Sequence, residues 1–284
     1  MKIAITGATG QLGQLVIQHL LKQTQANNIV ALVRNVDKAA HLKAQGIELR
    51  HFDYDTPATL VPALEGIDRL LLISANEIGR RVPQHKAVID AAITAKVPYI
   101  AYTSLLNADT STLSIAEEHL QTEKLIQNSG LIYTLLRNSW YSENYLAGLT
   151  HNIETGELHG AAKGARISSA TRNDFAEAAA NVLVGLGHEN KTYELAGSTS
   201  FNLSDLAVII SNVSGKTVNY INLSAADYQQ GLLQAGLPEA LANLIVEADI
   251  EAKKGALFNS SKDLENILKR PTTSIEDTVK VLLS

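Results

Sequence analysis

Along the first half of the chain, short β-branched apolar runs alternate with longer stretches whose apolar residues recur at helical spacing. Residues 3–6, 29–33, 48–52, 69–73, 99–103 and 133–137 predict strands. Residues 12–22, 39–45, 56–64, 82–95 and 114–127, lying between them, predict helices. This regular alternation points to an α/β fold, a Rossmann-type doubly wound parallel sheet with helices on both faces. The stretch Leu70-Leu71-Leu72-Ile73 is apolar on both sides of the strand, as expected for a strand covered on both faces.

The second half is less regular. Residues 176–186, 224–235, 238–252 and 274–283 predict helices, and 192–195 and 218–223 predict short strands. No internal repeat or low-complexity linker interrupts them. The expected organisation is a nucleotide-binding domain over residues 1–150 and a smaller α/β lobe over residues 151–284, interleaved with the last strands of the sheet and shaping the substrate side.

Composition narrows the functional classes. Hydrophobic residues make up 45% of the 284 and charged residues 19%, enough apolar material for a large core without covalent staples. There is no cysteine, which excludes disulfides, thiolate metal sites and cysteine nucleophiles. The formal net charge is −5 and no basic run occurs, so no nucleic-acid partner is expected. No apolar stretch is long enough to span a bilayer, and turn chemistry begins by Gly7 with no leader-like apolar run before it; a cytoplasmic location is expected. The eight histidines show no close-set ligand pattern, and no metal is expected. A homodimer is left open.

The candidate chemistry begins at the first strand. Gly7-Ala8-Thr9-Gly10-Gln11-Leu12-Gly13 follows it directly and opens the first helix. Glycines here permit a sharp turn, a close approach of backbone to a pyrophosphate, and tight helix packing, while the helix N-terminus offers free N–H groups to phosphate. The second strand ends in Arg34 rather than in the Asp or Glu that would bind a ribose 2′-hydroxyl. A guanidinium suits a 2′-phosphate, so NADPH is the expected cofactor, with NADH allowed as a weaker one. Asp53, after the third strand, suits either the adenine amino group or a turn. Ser74 and Ala75, after the fourth, stand at the C-terminal sheet edge where such folds bind ligands.

A Tyr-x-x-x-Lys pair, which would deliver a proton to a carbonyl, is missing: none of the nine tyrosines has Lys four residues on. The corresponding helix places His119 and Glu123 at that spacing, one turn apart. His119 is the candidate acid, against the alternative of a partly exposed helix histidine without a role. Hydride transfer to an electron-poor acceptor, whose reduced form solvent can protonate, fits this absence. After the sixth strand comes Arg137-Asn138-Ser139-Trp140-Tyr141-Ser142-Glu143-Asn144-Tyr145. Trp140 offers a flat face to a flat acceptor, and Asn138 and Asn144 offer amides to a carboxamide or a quinone oxygen.

The glycine loop, the V-R-N end of the second strand, A-Y-T-S-L-L and L-L-R-N-S-W-Y-S-E-N-Y together resemble the NmrA-like atypical short-chain dehydrogenases, over essentially the whole chain. The resemblance implies NADPH-dependent two-electron reduction of a quinone-like acceptor without flavin, and treats the missing Tyr-Lys pair as a family trait. It implies cofactor contacts from residues 7–12, Arg34, Ser74 and its neighbour Ala75, and from Asn138, Tyr141 and Asn144. On the acceptor side it draws attention to Ser104, Trp140 and Asn144. Two alternatives stay open: reduction of other electron-poor acceptors such as dyes, and a non-catalytic NADP redox sensor that binds a partner protein.

Overall fold

The computed structural model describes residues 1–284. In chain order the sheet region runs β1 (Ile3–Ile5), α1 (Gln11–Leu21), β2 (Ile29–Val33), α2 (Ala40–Ala44), β3 (Glu48–His51), α3 (Leu60–Leu64), β4 (Arg69–Leu72), α4 (Arg81–Thr94), β5 (Tyr99–Leu105), α5 (Ala116–Gln127) and β6 (Ile132–Asn138). Next come α6 (Ser142–Leu146), α7 (Leu149–Thr155), β7 (Glu157–Gly160), α8 (Arg172–Val184) and β8 (Lys191–Leu195). The chain closes with α9 (Leu203–Ser214), β9 (Asn219–Asn222), α10 (Ala225–Gln234), α11 (Glu239–Ala252), α12 (Asp263–Leu268) and α13 (Ile275–Leu283).

Seven strands form one sheet in the order β3-β2-β1-β4-β5-β6-β8. Pairing from β3 through to β6 is parallel, with Ile3 beside both Ile29 and Arg69. The order reverses between β1 and β4, and an open parallel sheet leaves a crevice at the C-terminal ends of its strands at such a switch. β1, β2 and β5 are buried at every residue, because helices cover both faces. On one face Leu70, Leu72, Ile100 and Tyr102 pack with Leu64, Val88, Ile89 and Ile126 from α3, α4 and α5. On the other, α1 packs against α8.

The chain divides into two compact units. One holds Met1–Asp109, Ile115–Asn138 and Arg172–Tyr193; the other holds Thr110–Ser114, Ser139–Thr171 and Glu194–Ser284. The division falls after Asn138 rather than at residue 150, and α8 returns to the sheet unit because its alanine-rich face packs on α1. The second unit contains a small parallel pair, β7 with β9, of which only β9 is anticipated from sequence. β7 is four residues long with alternating burial, too short to carry a period.

Candidate functional site

β1 ends at the glycine loop. Gly7 adopts φ +58°, the left-handed region that suits glycine, and its carbonyl accepts the Gly10 N–H at 2.9 Å. No side chain caps α1, and the first bond into the helix is Gln14 N–H to the Gly10 carbonyl at 3.0 Å. The amides of Gln11, Leu12 and Gly13 therefore stand at the positive end of the helix dipole ahead of that bond. The three glycines do different work. A Cβ at Gly13 would overlap the Gly7 carbonyl oxygen and lie 2.9 Å from the Ala8 Cα, so glycine there is demanded by packing of the loop on its own helix. At Gly10 the fold brings only the Gly7 oxygen near, at 3.1 Å, and the residue lines an open cleft.

That cleft measures about 570 Å³ and lies wholly in the sheet unit. Gly7, Thr9, Gly10, Gln11 and Leu12 form one part of its lining. Arg34, Asp53, Ser74 and Ala75 line it too, so the structure brings these sequence-selected positions together. Ala8 is buried beneath the loop and belongs to its support. Sequence reasoning missed Lys38, Tyr54, Glu77 and Gln84, which also line the cleft. Lys38 stands one turn beyond Arg34 and adds a second cation, and its N–H donates to the Asn35 side chain at 3.1 Å. Asp53 behaves as a turn residue as well: its Oδ1 accepts the Asp55 N–H at 3.1 Å.

The Ser74–Ala75 loop is held from beneath by a buried polar network. The Ser74 N–H donates to Thr103 Oγ1, and the Ala75 N–H donates to His85 Nε2, each at 2.9 Å. Accepting that bond leaves the His85 proton on Nδ1, which donates to Thr122 Oγ1 at 3.0 Å; the Thr122 hydroxyl in turn donates to the Glu118 carbonyl. Burial, reinforced by the Arg81 charge, pushes the His85 imidazole down to about 3, so it is neutral at physiological pH with a fixed tautomer. Arg81 Nε donates to the Ala75 carbonyl at 2.8 Å, so both backbone polar groups of Ala75 are held.

The expected His119–Glu123 pair is not formed. Glu123 is buried and its carboxylate is taken by Arg137, with Nε to Oε1 at 2.9 Å and Nη2 to Oε2 at 2.7 Å. The Ser104 hydroxyl donates to the same carboxylate at 2.6 Å, so Ser104 is engaged inside the unit. Nor is His119 the partly exposed histidine of the alternative reading: it is 5% exposed and pairs with the Tyr102 hydroxyl at 2.7 Å through Nδ1. Burial, with the Arg81 charge, holds it well below the usual histidine range. It is a neutral imidazole at physiological pH, with no carboxylate to orient it.

Asn138 ends β6, buried, with its Oδ1 lacking a hydrogen-bond partner; the Gln84 Oε1 at the cleft is likewise unpartnered. Ser139–Thr171 belongs to the second unit, so Trp140, Tyr141 and Asn144 lie there. Trp140 and Tyr141 are half-buried and Asn144 is exposed. The segment is sewn to residues 168–170: Ser139 Oγ donates to the Ser168 carbonyl, Ser142 N–H to the Ala170 carbonyl, and the Ser142 and Ser169 hydroxyls pair at 2.9 Å.

A parallel sheet with a glycine loop at its switch point, an uncapped helix N-terminus and an adjoining cleft carrying Arg34 and Lys38 define a dinucleotide-binding protein of the Rossmann class. The chain belongs to the NmrA-like family, whose model matches residues 1–276. Quinone oxidoreductase 2 of Escherichia coli (strain K12) is 52% identical to it over 282 residues, covering 99% of each chain. The crystal structure of the NADPH-dependent quinone oxidoreductase of E. coli complexed with NADPH matches with a TM-score of 0.97, over 99% of this chain and 100% of that one. The Citrobacter sp. triphenylmethane reductase complexed with NADP(H) matches at 41% identity with a TM-score of 0.96, over 99% of each chain.

Proposed function

We infer that this chain is an NADPH-dependent quinone reductase that works without flavin. The observation that carries this is the cleft: free α1 amides, a bare Cα at Gly10, and two cations past β2 where an NAD-binding chain would carry a carboxylate. The residues fit a dinucleotide carrying a 2′-phosphate. The identity shared with the E. coli quinone oxidoreductase over the whole chain points to the same acceptor class.

Gln11, Leu12 and Gly13 would donate their N–H groups to the pyrophosphate, and Arg34 and Lys38 would hold the 2′-phosphate by charge-assisted hydrogen bonds. Asp53 is assigned to the adenine end. The Ser74–Ala75 backbone, fixed by His85 and Arg81, offers a rigid shelf for the remainder of the cofactor. Bound NADPH supplies two electrons as hydride, and uptake of one proton from solvent completes reduction of a quinone to its hydroquinone. No strong protein acid is required, because the singly protonated product is a stabilised anion, and His119 is neutral and paired with Tyr102. For the nicotinamide and the acceptor the assignment rests on side-chain chemistry: Asn138, Tyr141 and Asn144 for the carboxamide, Trp140 and Asn144 for the quinone. A cytoplasmic location, where NADPH is available, completes the reading.

A second acceptor class is favoured by the 41% identity to triphenylmethane reductase, namely cationic dyes, by the same hydride chemistry. The test is NADPH oxidation followed optically with a simple benzoquinone, with a triphenylmethane dye and with neither, and NADH as parallel donor. Quinone-dependent oxidation that is faster with NADPH supports the reading. Tight NADPH binding with no acceleration by either acceptor would replace it with a redox sensor.

A further inference from the structure

Three loops around the cleft of the sheet unit are tied by charge. Arg80 links two of them: its Nη2 pairs with Asp55 Oδ1 at 2.5 Å and its Nη1 with Glu77 Oε2 at 2.8 Å. The same Glu77 oxygen accepts from the Gln84 amide at 3.1 Å. With Oε2 held twice, the other oxygen, Oε1, is left facing Arg34 Nη1 at 3.9 Å. Arg34 is 69% exposed and the Glu77 side chain 36%, so the contact lies at a wet rim where the pair itself adds little to stability. Its position is what matters, because both residues line the cleft.

We propose that Glu77 is a specificity-determining residue, a built-in counter-charge on Arg34 that sets how strongly the site prefers a 2′-phosphorylated dinucleotide over one with a free 2′-hydroxyl. This rests on the assignment of Arg34 to the 2′-phosphate made above. A phosphate seated on the Arg34 guanidinium brings close to two negative charges to within roughly 7 Å of a carboxylate whose geometry is fixed by Arg80 and Gln84. The carboxylate repels that phosphate and competes for the same guanidinium. A 2′-hydroxyl carries no charge and feels neither effect. Glu77 thus lowers affinity for NADPH selectively, and keeps NADH within reach of a cleft lined past β2 by Arg34 and Lys38. The groups surrounding Glu77 are Arg34, Arg80, Gln84 and, through Arg80, Asp55.

The substitution Glu77→Gln removes the charge while keeping an oxygen for Arg80 and the side-chain volume. Dissociation constants for NADPH and NADH are measured by fluorescence titration on wild type, Glu77→Gln, Arg34→Gln and the double variant, each at low and high salt. The expected result is a rise of roughly three- to tenfold in the NADPH-over-NADH ratio for Glu77→Gln at low salt, shrinking as salt rises. In the Arg34→Gln background the gain should be smaller, because the shared guanidinium is gone. A ratio unchanged by Glu77→Gln, or moved toward NADH, while Arg34→Gln still abolishes the preference, overturns the role of Glu77 and leaves that of Arg34 standing. A ratio unaffected by Arg34→Gln removes the 2′-phosphate assignment and the role of Glu77 with it. A merely structural loss at Glu77 would weaken both dinucleotides together and leave the ratio and its salt dependence unmoved.

Discussion

In the second unit, α11 buries Asp249, 4% exposed, with its Oδ2 accepting the Ala161 N–H at 2.7 Å. Burial pushes its carboxyl up to about 6 from an ordinary 3.8, with the Ala161 and Ala162 amides and Lys253 offsetting part of the cost of charging it. Tyr145 and Tyr228 are pushed up in turn by burial and by this carboxylate. Because the folded-state value is raised, the folded protein holds a proton between pH 4 and 6 that the unfolded chain releases, and stability falls across that window as pH rises. Two pH units at about 1.36 kcal/mol each give a loss of about 3 kcal/mol, complete by pH 7 and constant above it. Asp249→Asn removes the titration but keeps an oxygen for Ala161. Urea unfolding of both proteins from pH 4 to pH 8 isolates this one group, since all others cancel in the difference. The variant should gain on wild type by about 3 kcal/mol between pH 4 and 7, then run parallel. A difference that stays flat, or that grows toward acid, would refute the raised value and the account of Asp249 as a buried charge that costs stability.

Two further substitutions separate folding from binding. Gly10→Val should leave a folded chain that no longer binds NADPH, whereas Gly13→Ala should lower the thermal midpoint, because its Cβ would overlap the Gly7 carbonyl; calorimetry and cofactor titration on both report the contrast. His119→Ala removes a buried partner of the Tyr102 hydroxyl and should cost about 1–3 kcal/mol of stability, yet leave quinone reduction within tenfold of wild type. A several-hundredfold loss of turnover would make His119 the proton donor.

What the sequence displays, and what it hides, follows from where each signal lives. β1, β2, β4 and β5 are legible because a strand covered on both faces is largely apolar, and the alternation with helices then dictates a parallel sheet; β3, a polar edge strand with Glu48, Arg50 and His51, is legible only from its place in that alternation. The glycine loop is legible because its turn needs a positive φ at Gly7 and its packing needs no Cβ at Gly13. Lys38, Glu77 and Gln84 are not, since only tertiary structure brings the ends of β2 and β4 to one cleft. One signal was available. Arg81, Gln84 and His85 fall on the buried stripe of α4 with Val88, Ile89 and Ala92, and polar residues at core spacing on a helix announce a buried polar network. The second unit is the least legible: its short β7, the Ser139 hydroxyl on the Ser168 carbonyl and the Ser142–Ser169 hydroxyl pair carry no period.

The missing Tyr-x-x-x-Lys pair is more than two replaced side chains. The lysine position holds Glu123, and around that carboxylate the core supplies Arg137 in a bidentate pair and the Ser104 hydroxyl, with Asp109 on the remaining Arg137 nitrogen at 3.0 Å. Glu123→Lys would set an ammonium against a buried guanidinium, strip Arg137 of its bidentate partner with only Asp109 of the two carboxylates remaining, and take the acceptor from the Ser104 hydroxyl. Breaking a buried pair from one side costs about 3–5 kcal/mol, and a like charge adds to that. The variant, alone or with His119→Tyr, should therefore be strongly destabilised in urea rather than become a carbonyl reductase. Glu123→Gln, which keeps one acceptor, should lose less. Should Glu123→Lys fold with wild-type stability, the ion pair is dispensable, and the absence of the tyrosine–lysine pair would be a matter of chemistry alone. The structure argues otherwise: with Arg137 paired to it inside the unit, Glu123 on this helix is committed to an ion pair that ties α5 to β6, where a lysine would have no counter-charge to meet.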